Sequence, residues 1–111
     1  MIGVHLTVDG LFKPPLDGEI LNKILTELPE RINMNILSGP HVVQGCPENP
    51  GWTGFVIIDK SHISIHTFDD GNKISVDVFS CQHFEKETAL SYLKNNINFT
   101  KTNTRYFERT E

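Results

Sequence analysis

Ile2, Val4, Leu6 and Val8 alternate with Gly3, His5, Thr7 and Asp9 at the head of the chain. An apolar side chain at every second position is the period of a half-buried strand, so a first strand of about eight residues is expected. After the loop GLFKPPL the period changes. Ile20, Leu21, Ile24, Leu25 and Leu28 fall at i, i+4 and i+8 spacing behind Asp17, a candidate N-cap. This predicts a helix, and Pro29 is expected to end it, because proline lacks an amide hydrogen and disfavours helix in the residue before it. Alternation returns at Ile32, Met34 and Ile36, a second strand, before SGPHVVQGCPENPGW, where glycine and proline interrupt any long element. TGFVIID is a β-branched apolar run suited to a central strand. Two alternating arms around DDGN then form a hairpin, KSHISIHTFDDGNKISVDVFSC, over residues 60–81. Glu85 to about Asn96 reads as a second helix with Leu90, Leu93 and Ile97 on one face, and Lys101 to Arg109 as a last strand. The order predicts an α+β fold: one antiparallel sheet with both helices on one face and the other face open.

The hairpin's register follows from its pattern. With Asp69 to Asn72 as the loop, Ile65 faces Val76 and Ile63 faces Val78 on the core side. His66 then meets Ser75, Ser64 meets Asp77, His62 meets Phe79 and Lys60 meets Cys81 on the polar side. A shift by one would set Ile65 against Asp77, so amphipathicity selects the first register. Cys81 is thereby expected beside the Lys60-Ser61 peptide.

Length and charge narrow the function. At 111 residues, without repeats or internal linkers, the chain is expected to form one domain, 1–111, too short for a separate cofactor domain. A net charge of −4, with ten scattered Lys and Arg, argues against nucleic acid and for a small or cationic partner. MIGVHLTVDG lacks a charged segment followed by an unbroken apolar run, and no stretch approaches the roughly 18 apolar residues that span a bilayer. No membrane association and a cytoplasmic location are therefore expected. Cys46 and Cys81 are neither a disulfide framework nor a CxxC pair, and are read as free thiols.

Chemistry concentrates on the hairpin. His62 and His66 are four apart, about 13 Å on a strand, so they cannot share one metal ion within it. His62, Cys81 and His83 match no usual zinc spacing, and no metal site is expected. Cys81 lies near His62 in this register, yet no residue is evident to orient the pair as a nucleophile and base.

SHISIHTF, followed after a short acidic turn by VDVFSC, resembles the signature of the prokaryotic S-adenosylmethionine decarboxylases, pyruvoyl enzymes of polyamine (spermidine) biosynthesis. GVHL is similar to that family's first strand and GFVII to the strand before its processing serine. The resemblance implies autocatalytic serinolysis between Lys60 and Ser61, with Ser61 becoming the pyruvoyl group that forms a Schiff base with a small-molecule substrate. It implies His66 and Thr53 in processing, Cys81 as proton donor and no external cofactor. Asp70 matches an acidic substrate contact, with Asp9 and Trp52 as further candidates. It also implies a homodimer, an α/β/β/α sandwich joined through the open faces. Geometry would give that dimer a purpose: His66 is five residues from Ser61, roughly 17 Å along an extended strand, and a two-fold axis can bring His66 and Thr53 of one protomer to Ser61 and Cys81 of the other.

Two departures stand out. Family members usually carry glutamate where this chain has Lys60, which reverses the charge beside the site. No aromatic residue in GCPENPGW holds the position at which the family stacks adenine, although Trp52 and Phe12 are candidates for that part. Arginine or ornithine as substrate, or an unprocessed homologue that binds a ligand or partner, stay open as alternatives.

Overall fold

In the computed structural model, which describes residues 1–111, the first alternating run forms β1 (Gly3–Phe12). It takes in Leu11 and Phe12, expected in a loop, because both find partners on the last strand, Leu11 opposite Lys101 and Phe12 opposite Phe99. The Asp17 carboxylate accepts the Ile20 amide at 3.1 Å and starts α1 (Gly18–Arg31). Pro29 does not end this helix; it lies in the last turn, where its missing donor removes one bond, and the helix runs on to Arg31. The expected strand at Ile32 and Met34 is likewise absent. Ile32 caps α1, Asn33 turns the chain at φ +60°, and Met34 is buried.

The second strand is instead β2 (Ile36–Gln44), and it passes through the Gly39-Pro40 pair that was expected to interrupt it. β2 is an edge of the sheet, where proline costs no ladder bond, and register shifts around Ser38 and His41 absorb the irregularity. Next come β3 (Trp52–Ile58), β4 (Ser61–Phe68) and β5 (Lys73–Ser80), then α2 (Lys86–Asn96) and β6 (Phe99–Arg109). The six strands lie in the order β2-β3-β4-β5-β1-β6, every neighbouring pair antiparallel. The α+β arrangement is as expected.

Both helices bury their apolar residues against one face. Leu21, Ile24, Leu25 and Leu28 of α1 join Ala89, Leu90 and Leu93 of α2 in a single core with Val4, Leu6, Val56, Ile63, Ile65, Val76 and Val78. The helices also meet each other, the Tyr92 hydroxyl donating to Glu27 at 2.8 Å with the Arg31 guanidinium over the Tyr92 ring. Gly54 lets α1 sit close on β3, since a Cβ there would come within 2.7 Å of the Leu25 side chain. The hairpin register is the predicted one, from His62 opposite Phe79 to Phe68 opposite Lys73. Ile63, Ile65, Val76 and Val78 are fully buried. Burying each contributes about 2 kcal/mol, and a one-residue slip would replace them with histidine, serine and aspartate.

Candidate active site

Two residues, Asp59 and Lys60, join β3 to β4 across the Ile58–Ser61 pair. Lys60 is exposed with φ +50°. Ser61 falls on the same side of the pleat as Ile63 and Ile65 and is 6% exposed. Its hydroxyl donates to the Asp59 carbonyl at 2.8 Å and accepts the Cys81 amide at 2.8 Å. The Cys81 thiol donates to that same Asp59 carbonyl at 3.4 Å. One main-chain oxygen therefore holds both the hydroxyl and the thiol. The expected Lys60–Cys81 strand pair does not form, because the ladder ends at His62–Phe79 and Lys60 curls into the turn. Cys81 meets Ser61 itself, through the backbone. Within the protomer no side-chain base touches the Ser61 hydroxyl.

Thr53 and His66 form a second group. They face each other across β3 and β4, with Thr53 Oγ1 and His66 Nδ1 3.0 Å apart, half-buried on the open face. Ser75, opposite His66 on one side and Asp9 on the other, donates to the Asp9 carboxylate at 2.7 Å. Asp9 thus joins this row, and Asp70 lies in the exposed turn where β4 passes to β5. Trp52 joins neither group. It shares the side of Gly54, Val56 and Ile58, with its ring against Gly18 of α1 and its amide bonded to Thr67.

The two groups stand at opposite ends of β4, roughly 17 Å apart by strand rise. A single protomer does not bring Ser61 and His66 together.

The comparisons with known proteins fall on one family. Residues 12–110 match the sequence model of the S-adenosylmethionine decarboxylases. The chain belongs to the S-adenosylmethionine decarboxylase family. An S-adenosylmethionine decarboxylase proenzyme of Clostridium botulinum (strain Langeland) is 38% identical over 108 residues, covering 89% of this chain and 86% of the relative. Another, of a Hydrogenobaculum species, is 30% identical over 111 residues, covering 97% and 81%. The crystal structure of the adenosylmethionine decarboxylase from Aquifex aeolicus superposes with a TM-score of 0.73 at 26% identity, over 97% of this chain and 90% of that one.

Between the two groups, this family member carries a band of aromatic, histidine and aliphatic side chains. Phe107, His5, Phe79, His62 and Ile57 lie side by side across β6, β1, β5, β4 and β3 on the open face. His5 Nε2 lies 3.1 Å from Asp77 Oδ1, and its ring contacts both phenylalanines, at 5.9 and 5.4 Å between centroids. Partial burial lowers the His62 pKa, helped by repulsion from His5 and Arg109 and opposed by Asp77. Alternation had put His5 and Asp77 on polar faces, but their meeting depends on β1 pairing with β5, a contact 72 residues apart that no local pattern announces. No three metal-ligating side chains converge anywhere in the fold.

Proposed function

We propose that the chain is a self-cleaving, pyruvoyl-dependent decarboxylase of S-adenosylmethionine, a cytoplasmic enzyme that makes the aminopropyl donor for spermidine synthesis. The observation that carries this reading is the Ser61 hydroxyl, fixed between the Asp59 carbonyl and the Cys81 amide immediately after a two-residue turn. Its oxygen and the Lys60 carbonyl carbon can close a five-membered ring. Attack forms the C–O bond, the Lys60–Ser61 C–N bond breaks, and the hydroxyl proton passes to the Ser61 nitrogen, leaving an ester. Loss of the Ser61 Cα proton then expels the Lys60 carboxylate and creates a C=C bond, and water replaces the nitrogen to leave a ketone and ammonia.

That ketone supplies an electrophile for a substrate α-amine and a sink for the electron pair released with CO₂. The other tasks fall to residues of this chain. Cys81 holds a proton at Sγ, beside the Asp59 carbonyl, for return to the product carbon. His66, with Thr53 on its Nδ1, serves the cleavage of the partner's Ser61, since its own lies too far along the strand. Half-exposed Phe55, Ile57 and Phe107, with Val43, give the open face apolar area to bury against a second copy, as the α/β/β/α dimer requires. The scissile peptide is main chain beside the exposed Lys60, so approach to it does not require entry into the core toward which the Ser61 side chain points. Asp9 and Asp70 supply negative charge for a cationic sulfonium near the His66 group.

Release of carboxyl-labelled CO₂ tests the substrate. The reading predicts turnover of S-adenosylmethionine well above that of arginine or ornithine, and none from Ser61→Ala. Preference for either of the other amino acids would assign the fold a different substrate.

A further inference from the structure

Three residues other than glycine adopt positive φ: Asn33 at +60°, Asn72 at +49° and Lys60 at +50°. Asparagine is the residue most often found there after glycine, because its short polar side chain bonds locally. Lysine has no such compensation, and its Cβ crowds the following carbonyl. Lys60 is also the residue whose carbonyl Ser61 would attack. The Lys60 side chain is exposed and makes no ion pair or hydrogen bond that would account for the conformation.

The surroundings impose it. Val56 and Ile58 before the turn and Ile63 after it are fully buried, and their burial fixes the register that pairs Ile58 with Ser61. Only Asp59 and Lys60 are left to reverse the chain, and most two-residue hairpin loops place at least one central residue at positive φ, here Lys60. A position suited to glycine or asparagine is filled by lysine. Strain of this kind persists only where surrounding structure over-determines it, and it gathers at reactive sites.

We propose, on the reading that the chain cleaves itself at Lys60-Ser61, that Lys60 is a positioning residue whose left-handed backbone loads the scissile peptide for opening. Acyl transfer to Ser61 Oγ breaks the amide that ties Lys60 to β4. The link to Ser61 then runs through the longer, more flexible Cβ–Oγ ester, and Lys60 relaxes toward ordinary negative φ. Relief of crowding is available to the transition state and not to the folded precursor, so it speeds the first step and nothing after it.

The test compares two variants that both lack the ammonium group, which removes charge from the contest. Lys60→Ala keeps a Cβ in the left-handed position and Lys60→Gly does not. Cleavage of freshly refolded precursor, followed by intact mass, is expected to be about tenfold faster for Lys60→Ala than for Lys60→Gly, with Lys60→Asn between them; tenfold corresponds to about 1.4 kcal/mol. Precursors carrying the additional Ser61→Ala change cannot cleave, and in them the melting temperatures are expected in the reverse order, glycine highest. A turn residue with only a structural part would reproduce that melting order while the cleavage rates stayed equal. Equal rates, or faster cleavage with glycine, would overturn the proposal while leaving self-cleavage intact. A wild-type chain that never cuts at this bond would remove the reading on which it rests.

Discussion

Cys81 touches Ser61 through its amide, while its thiol reaches only the Asp59 carbonyl. The two contacts can be separated by mutation. Alanine at position 81 keeps the amide and removes the thiol, so Cys81→Ala is expected to cleave as a precursor and then to fail as a decarboxylase. Loss of a positioned proton donor should lower turnover by about 10²-fold or more, measured as CO₂ release per cleaved chain. Loss of cleavage in that variant would instead assign the thiol to processing. The residues proposed for this chemistry stand out as a group in the sequence, since Ser61, His66, Cys81 and Thr53 all lie in or beside one patterned hairpin. The part of the Asp59 carbonyl was not, because a main-chain oxygen leaves no mark in a sequence. The left-handed turn at Lys60 was hidden for a related reason: local pattern favoured continuing the strand, and the two-residue connection fixed by β3 overrode it.

At the scale of elements, the fold rests on two helices that share one sheet face and hold each other. The Tyr92 hydroxyl to Glu27 bond is the clearest tie between them, and burial together with that carboxylate raises the Tyr92 pKa. Tyr92→Phe should therefore lower stability by about 1 kcal/mol, seen as a drop of roughly 4 °C in melting temperature, with cleavage unaffected. An unchanged melting temperature would mean that water serves the two groups equally well. Elements whose periodicity was unbroken, such as the first helix and the hairpin, were readable within a residue or two. The departures fell at the edge strand β2 and at the end of α1. Gly39-Pro40 looked like a break and is instead accommodated on an edge strand, while Ile32 and Met34 alternate because one caps α1 and the other is buried beyond its end.

For the whole molecule, the distribution of chemistry matters more than any one contact. Ser61 with Cys81 and His66 with Thr53 are two groups at opposite ends of one strand, and the face between them is lined with half-exposed aromatic and histidine side chains. Under the proposed dimer, a two-fold axis can place the unlike groups of two copies together. His66→Ala protomers retain Ser61, and Ser61→Ala protomers retain His66, so co-expression should yield mixed dimers in which the His66→Ala chain is cut and its partner is not. Mixed dimers without any cut chain would rule out sharing across the interface. Self-cleavage at one bond underlies all of this chemistry, and intact mass of the freshly purified wild-type protein under denaturing conditions reads it without an intermediate step. Two species are expected, residues 1–60 and residues 61–111, the second lighter by one ammonia than the same fragment beginning with serine. A single chain of full mass, or fragments ending elsewhere, would contradict it.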